Sequence, residues 1–276
     1  MYQLVVNDYA RVVPLLAAIP FNVHFAKSVL ADKVAGAVLV DNIANPQTVY
    51  IRHDYGMSLL CGNSANQEFN QRLLQFLQND HDFSRPEYLQ VFPGEWSSVL
   101  ANLLGSKLVQ CDAAIEHQRQ AQIIEHVRVN FKFNPEQYRQ IVATTKFADY
   151  DIRQLDAATA LAYSGLVVPR YYWHDEAIYN QYALAYGLYI NDELATVAFS
   201  SCRDEHILEL GMETTAKFQN RGLAVLVCLK LIDETLKYGL EPVWACRKGN
   251  IGSYKLAHKV GFVAASEWPY YQIIRA

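Results

Sequence analysis

The stretch Gln219-Asn220-Arg221-Gly222-Leu223-Ala224 decides how the second half of this 276-residue chain folds. It fits the pattern Q/R-x-x-G-x-G/A, follows a strand-like run and opens an apolar helix. Main-chain N–H groups at such a turn point outward, and the helix dipole leaves partial positive charge there. The stretch therefore predicts a site for a phosphate or diphosphate. The alternative is an ordinary strand-to-helix connection in which Gly222 permits tight packing.

A second helix signature follows this turn. It has the spacing N-x-x-S-x-x-L-A-x-K-x-G-F, given by Asn250, Ser253, Leu256, Ala257, Lys259, Gly261 and Phe262. Asn250 stands where a helix N-cap belongs, a role that stabilises a helix by about 1 kcal/mol without any ligand. Capping and ligand binding therefore both remain open for this residue.

The runs around the turn predict a mostly antiparallel sheet. Three strands lead into it, at Tyr182–Ile190, Glu193–Ser200 and His206–Thr214, the first two joined by the turn Asn191-Asp192. After the helix we expect a strand at Glu241–Cys246 and a final strand pair that includes Phe262–Ala265 and Tyr270–Ile274.

The first half of the chain predicts a smaller α/β domain in which we find no catalytic constellation. Its expected strands are Ala35–Val40, Thr48–Arg52, Met57–Leu60, Tyr88–Phe92 and Lys107–Cys111. The stretch Ala113–Glu125, rich in Gln and His, predicts a helix that leads to a domain boundary near residue 128. The expected domains are therefore residues 1–127 and 128–276.

The turn, its place between strand and helix, and the second signature together resemble the GNAT superfamily of acyl-CoA-dependent N-acyltransferases, over roughly residues 150 to 274. The segment from Glu209 to Phe262 is similar to the two-domain "GNAT acetyltransferase" subgroup. So are three further stretches, Asp41-Asn42, Asn45-Pro46 and Pro169-Arg170-Tyr171-Tyr172-Trp173.

This resemblance implies an α/β fold whose C-terminal domain has a GNAT-type mixed, mostly antiparallel sheet flanked by helices. It leaves open whether the N-terminal domain is a degenerate GNAT-like unit. The cluster Tyr171-Tyr172-Trp173 is open to two interpretations, the wall of an acceptor pocket or part of a core.

The cofactor that the resemblance implies is acetyl-CoA. The turn's amides would hold the diphosphate, and the strand before it would diverge from its neighbour to receive the pantetheine arm. Amides of Met212 to Thr214 are the implied donors to the thioester carbonyl. The implied contacts are Met212, Glu213, Thr214, Gln219, Asn220, Arg221, Gly222, Leu223, Ala224, Asn250 and Ser253.

Two glutamates are candidates for the base that accepts the proton of the acceptor amine. Glu209 and Glu213 lie four residues apart on the strand before the turn. Strict alternation puts both on one face, about 13 Å apart. A β-bulge at Gly211, which lies between them, would instead turn them to opposite faces. Each is also compatible with a solvated strand edge.

The sequence departs from the superfamily at the position of the acid that would protonate the leaving thiolate. Many members carry a tyrosine seven residues after the Asn of the second helix, and Ala257 stands there in this chain. Tyr254 is the candidate substitute, and Cys246 and Tyr271 are fainter alternatives. A thiolate whose pKa is about 8.5 leaves tolerably without an acid.

These residues predict an N-acetyltransferase in which an amine attacks the thioester directly within a ternary complex. No Cys or Ser stands beside an obvious His base to form an acyl-enzyme. The alternative, favoured by Ala257, is a non-catalytic acyl-CoA-binding sensor or adaptor. A nucleotide hydrolase is disfavoured because no G-K-[ST] follows the turn.

The composition of the chain limits the classes of partner that we expect. A formal net charge of −4 argues against a general electrostatic hold on nucleic acid or an anionic membrane. The first residues show no leader, so we expect a cytoplasmic protein. Five widely spaced cysteines and eight histidines show no metal-binding spacing. The acceptor, a small-molecule or peptide amine, is not encoded in a readable way, and monomer and homodimer both remain open.

Overall fold

A computed structural model of the chain describes residues 1–79, 86–110, 122–147 and 149–274. The chain divides into two compact units. Unit 1 comprises Met1–Arg128, Arg247–Gly249 and Glu267–Ala276, and unit 2 comprises Val129–Cys246 and Asn250–Ser266. The division into residues 1–127 and 128–276 stays a proposal, and the compact units differ from it in giving two late segments to unit 1.

Runs of strands are separated by helices along the described parts of the chain. The strands are β1 (Tyr2–Gln3), β2 (Gly36–Val40), β3 (Thr48–His53), β4 (Met57–Gly62), β5 (Glu87–Phe92), β6 (Leu108–Gln110), β7 (Gln122–Phe133), β8 (Asp151–Gln154), β9 (Ala185–Ile190), β10 (Glu193–Arg203), β11 (Ile207–Thr214), β12 (Glu241–Arg247) and β13 (Phe262–Ile274). The α-helices are α1 (His24–Leu30), α2 (Gln67–Asn79), α3 (Glu95–Leu104), α4 (Pro135–Thr144), α5 (Ala157–Ala162), α6 (Glu176–Tyr182), α7 (Leu223–Lys237) and α8 (Ile251–Lys259).

The sheet of unit 1 is mixed. Strands β2, β3 and β4 pair antiparallel in sequence order, and β4 then pairs parallel with β5 across helix α2. The C-terminal part of β13 pairs antiparallel with β5. Leu60, Leu73 and Leu100 bring the sheet, α2 and α3 into one buried apolar cluster. Part of the core of unit 1 therefore lies between its sheet and these two helices.

The sheet of unit 2 repeats this layout. The expected three-stranded arrangement is confirmed, because β10 pairs antiparallel with β9 on one side and with β11 on the other. Strand β11 then pairs parallel with β12 across helix α7. Leu226 of α7 and Leu256 of α8 belong to the same buried cluster as Leu208 of β11. The architecture is thus α/β, with a mostly antiparallel sheet flanked by helices.

Two expectations about elements were wrong. Residues Ile123–Glu125, expected at the end of a helix, lie in strand β7, and the rest of that stretch lies outside the described residues. The expected final strand pair is a single strand, β13. The sequence Glu267-Trp268-Pro269 resembles a turn, but the extended backbone continues through it.

Among the described residues, no helix is both long enough and apolar enough to cross a membrane.

Candidate cofactor site

Strands β11 and β12 diverge after a short paired segment. Their parallel register covers Ile207–Glu209 opposite Glu241–Val243, yet β11 continues to Thr214 and β12 to Arg247. All these residues are described, and no register pair joins the two strands beyond Glu209. The edge of β11 that leads into the turn is therefore not paired with β12. This divergence of the two strands is what the resemblance implied.

Hydrogen bonds to β10 show which main-chain groups of β11 face this open edge. Thr215 N donates to Ala195 O at 3.0 Å, and Glu213 O accepts from Thr196 Oγ1 at 3.0 Å. Main-chain groups of successive strand residues point to opposite edges. The amides of Met212 and Thr214 therefore point toward the opened edge. The amide of Glu213, which we also expected there, points toward β10.

The turn itself is held by its own residues. Thr215 O accepts from Phe218 N at 2.8 Å, and the Gln219 side chain donates from Nε2 to Thr214 O at 3.1 Å. Asn220 and Gly222 both have left-handed backbone, with φ of 61° and 78°. This conformation turns successive amides toward one side, as in anion-binding turns.

The start of helix α7 differs from that of the other helices in unit 2. The N-cap residues of α4, α5, α6 and α8 each accept an amide hydrogen bond through a side chain, from Asn134, Asp156, Asp175 and Asn250. The N-cap of α7 is Gly222, which has no side chain to do so. Apart from its chain neighbours, a Cβ placed on Gly222 would meet no atom within 4 Å. First-turn amides that no side chain caps, beside open space, fit a diphosphate.

Two cations flank this turn. The Arg221 guanidinium lies 5.4 Å from the centre of the Phe218 ring, and the Lys217 ammonium lies 4.8 Å from the same ring. Lys217 also forms an ion pair with Glu193. Arg221 was predicted at this site from the sequence, whereas Lys217 was not. Both cations lie over the ring of Phe218, the residue that follows Lys217.

Helix α8 begins with two side chains that already have structural partners. Asn250 Oδ1 accepts from Ser253 N at 3.1 Å, so the capping role is confirmed. Ser253 Oγ accepts from Trp244 Nε1 at 3.2 Å. These bonds fix the side chains beside the end of β12. Contact of either residue with a cofactor stays a prediction.

The two glutamates of β11 lie on one face of the sheet. Leu210, Gly211 and Met212 pair in regular register with Ser200, Phe199 and Ala198, so the alternative of a bulge at Gly211 is wrong. The irregularity lies in β10, between Ser200 and Cys202. A Cβ on Gly211 would lie 2.5 Å from the Phe199 ring. The glycine therefore makes room for the aromatic ring of Phe199.

The environments of these two carboxylates differ. Glu213 Oε2 accepts a hydrogen bond from Val167 N at 2.9 Å, across 46 residues of sequence. Glu209 is 9% exposed and its carbonyl accepts from Ser201 Oγ at 3.2 Å. Neither environment is the solvated strand edge that the sequence also allowed.

Tyr254, the candidate acid, lies among aromatic rings. Its ring centre is 5.4 Å from that of Phe131 and 5.1 Å from that of His258. Ala257 is fully buried in the core of unit 2. Of the fainter candidates, Cys246 belongs to the same core, and burial raises the pKa of Tyr271 to about 12. The acid role of Tyr254 stays a prediction.

The aromatic cluster before β9 packs into the structure. Trp173 is 2% exposed and donates from Nε1 to Ser200 O at 2.6 Å. Tyr172 is buried, with its ring centre 5.6 Å from that of Phe199. These contacts favour the core interpretation for both residues.

The loop motif of the first half also has a structural role. Asp41 Oδ1 accepts from the amides of Asn42, Gln47 and Thr48, which closes the connection between β2 and β3.

Sequence reasoning missed the segment that crosses the end of β11. The Tyr163 hydroxyl lies 3.0 Å from Thr215 Oγ1, and Arg170 donates to Tyr163 O at 3.1 Å. The two partners of each contact at β11 are about fifty residues apart, so no local pattern indicates them. A signal was present only in the small residue Gly165, which lies against Glu213.

Thiol chemistry finds no support among the described cysteines. Cys61, Cys202, Cys228 and Cys246 are all buried. Burial raises the pKa of Cys228 to about 12. In the described parts of the chain, no cluster of three His, Cys, Asp or Glu side chains could hold a metal ion.

Comparison with known proteins identifies the family. The profile of the GNAT acetyltransferase family matches residues 18–271. A Bacillus subtilis protein described as the uncharacterized N-acetyltransferase YdfB is 22% identical over 252 residues, covering 90% of this chain and 89% of the relative. Its similarity extends through both units.

Solved structures show the same fold. A GCN5-related N-acetyltransferase-like protein from Streptococcus suis superposes with a TM-score of 0.69 at 17% identity, covering 97% of this chain and 98% of the other. A tandem GNAT protein from the clavulanic acid biosynthesis pathway gives a TM-score of 0.58 at 9% identity, covering 98% and 97%. With a family profile that spans nearly the whole chain, this protein belongs to the GNAT acetyltransferase family.

Proposed function

We propose that this protein is an acetyl-CoA-dependent N-acetyltransferase that acts on a small-molecule or peptide amine. One observation carries the proposal. The uncapped start of α7, with left-handed Asn220 and Gly222, directly follows the strand whose edge β12 leaves unpaired. A diphosphate-binding turn and an adjacent open strand edge are the two features that a thioester of coenzyme A needs.

Different residues of this region would bind different parts of the cofactor. Amides from Arg221 to Ala224 would hold the diphosphate, helped by the positive charges of Arg221 and Lys217. Met212 and Thr214 would bind the pantetheine arm as a strand edge binds an extended peptide. Gln219 secures the turn through Thr214 O, 3.1 Å from its Nε2. Asn250 and Ser253 would add contacts from the start of α8.

Bound acetyl-CoA supplies an acetyl group activated as a thioester. The amide of Met212 or Thr214 would donate to the carbonyl oxygen as negative charge grows there. The acceptor amine would attack the carbonyl carbon, so that the C–N bond forms as the C–S bond breaks and the thiolate leaves. Holding both reactants in one complex makes this attack effectively unimolecular.

The amine must lose a proton for this reaction. A lysine-like amine has a free pKa of about 10.4, so it is protonated at neutral pH and needs a base. Glu213 and Glu209 are the candidates, and they lie on the same face of β11. Tyr254 is the candidate to protonate the thiolate, which also leaves tolerably without help.

The test is release of free thiol from acetyl-CoA in the presence of a panel of amines. We expect turnover with at least one amine, and a fall in kcat of roughly a hundredfold or more when the carboxylate that accepts the proton is changed to the amide. Glu209→Gln and Glu213→Gln are the paired variants.

The rival function, a non-catalytic acyl-CoA-binding sensor or adaptor, rests on the buried Ala257 in place of a tyrosine. Tight binding of coenzyme A with no turnover on any amine would favour this rival and overturn the enzyme proposal.

A further inference from the structure

The carboxylate of Glu213 has a second chain segment as its partner. Its Oε2 accepts from Val167 N at 2.9 Å. Val167 lies between α5 and the short 3-10 helix Pro169–Tyr171, in a connection that crosses the end of β11. A main-chain amide is a fixed donor, so this hydrogen bond holds the segment at one point.

The fit around this hydrogen bond is close. A Cβ on Gly165 would lie 2.6 Å from Glu213 Cγ and 3.0 Å from its Cδ, so any larger residue would displace the glutamate side chain. Gly165 has no positive φ in this structure, and crowding alone therefore explains the small residue.

Two further bonds fix the same segment. The Tyr163 hydroxyl lies 3.0 Å from Thr215 Oγ1, and Arg170 donates to Tyr163 O at 3.1 Å. Burial raises the pKa of Tyr163, so its hydroxyl stays protonated at neutral pH. Residues 163–170 are thus attached to the last residues of β11, immediately before the cofactor turn.

The main chain of Glu213 is also fixed. Its carbonyl accepts from Thr196 Oγ1 at 3.0 Å, which ties this position to β10. The side chain therefore joins a backbone position that is bonded to β10 with a main-chain amide of the crossing segment. Such a carboxylate is suited to holding a segment in place, whereas a general base must be within hydrogen-bond reach of the substrate's proton.

The segment that Glu213 holds carries an apolar side chain in solvent. Leu166, between Gly165 and Val167, is 83% exposed. The connection bearing it crosses the strand whose edge is open, at the residue before Thr214. A segment at this place can form one wall of the site that binds the acceptor.

We infer that Glu213 is a positioning residue: its carboxylate fixes the segment from Gly165 to Val168 against the end of β11, and this segment binds the acceptor amine. The inference rests on the proposed function. Glu213 then acts on acceptor binding, and proton transfer is left to Glu209.

Three variants test this assignment. Glu213→Gln keeps an oxygen that accepts from Val167 N, Glu213→Ala removes it, and Gly165→Ala displaces the side chain while residue 213 stays a glutamate. We expect Glu213→Gln to keep the KM for the acceptor within about threefold of that of the parent protein. Glu213→Ala and Gly165→Ala should raise KM for the acceptor tenfold or more, with KM for acetyl-CoA within twofold. A hundredfold loss of kcat in Glu213→Gln, with Gly165→Ala like the parent, would overturn the inference.

Amide hydrogen exchange at Val167 gives a second readout that needs no turnover. Protection should persist in Glu213→Gln and be lost in Glu213→Ala and Gly165→Ala. Equal protection in all three variants would overturn the inference. If the parent protein turns over no amine while Val167 protection follows the expected pattern, the proposed function fails and the structural role of Glu213 stands.

Discussion

The two units share one layout, and they differ where a cofactor would bind. Each has three antiparallel strands, a helix, and a fourth strand parallel to the third. In unit 1 the parallel pair β4–β5 has five register pairs, from Met57 and Tyr88 to Cys61 and Phe92. In unit 2 the pair β11–β12 has three. Of these two pairs, only β11 and β12 diverge before the turn that follows.

The turns that follow also differ. In unit 1, Asn66 Oδ1 accepts from Phe69 N at 3.1 Å and so caps α2. Asn70 donates from Nδ2 to Ser64 O at 2.8 Å. A Cβ on Gly62 would lie 2.1 Å from Gln47 O. The turn of unit 1 is filled by its own chain. In unit 2, the first amides of α7 have no side-chain cap and lie beside open space.

This comparison teaches that strand order alone does not make a cofactor site. The same layout becomes a site only where strand pairing stops early and the helix lacks a side-chain cap. We propose that unit 1 is a degenerate GNAT-like unit, and that the single cofactor site lies in unit 2.

The largest expected effect comes from Gly222→Val. Gly222 has φ 78°, which costs an L-residue roughly 1–2 kcal/mol, and the new side chain would occupy the space left for phosphate oxygens. We expect coenzyme A to bind at least a hundredfold more weakly by calorimetry. Gly239, at the other end of α7, has φ 72° and equally open surroundings. Gly239→Val is thus a matched control, and a similar loss there would remove the distinction between the turns.

The next effect concerns unit 1 alone. His53 is 1% exposed, and burial lowers its pKa to about 4 from the usual 6.5. Between these values the unfolded chain takes up a proton that folded unit 1 does not, so stability falls as the pH drops through this window. The expected loss between pH 7 and pH 5 is about 2 kcal/mol.

Urea unfolding followed by fluorescence measures this loss, since Trp96 is buried in unit 1. The loss should diminish in His53→Gln and persist in His174→Gln, whose side chain is 51% exposed. An unchanged pH dependence in His53→Gln would show that His53 does not carry the effect.

The smallest expected effect is the loss of stability when a helix cap is removed, compared between two helices. Asn66→Ala and Asn250→Ala each remove a side-chain acceptor at a helix start, so each should lower the free energy of unfolding by about 1 kcal/mol. Only Asn250→Ala should also weaken coenzyme A binding, by several-fold, because Asn250 lies in unit 2 among the proposed contacts. Calorimetry that gives one affinity for both variants and the parent would confine Asn250 to capping.

Much of the fold followed from local patterns. The strands before α7, the turn at Gly222 and the helix cap at Asn250 depend on residues close in sequence, where periodicity and turn chemistry act. The GNAT family was identified from the same residues.

What the sequence could not show depends on tertiary contacts. The Val167–Glu213 hydrogen bond joins residues 46 apart, and nothing local specifies it. The bulge expected as one alternative at Gly211 was wrong because that glycine accommodates the Phe199 ring instead. The continuous strand β13 follows from pairing of Tyr270–Ile273 with β5, a partner about 180 residues earlier that no local pattern indicates.

The central claim is that the start of α7 holds a diphosphate and thereby binds acetyl-CoA. Calorimetric titration of the whole chain with coenzyme A and with pantetheine, which lacks the diphosphate, tests it directly. We expect coenzyme A to bind at least a hundredfold more tightly than pantetheine, and inorganic pyrophosphate to compete with it. Equal affinity for the two compounds, or no binding of coenzyme A at all, would contradict the account.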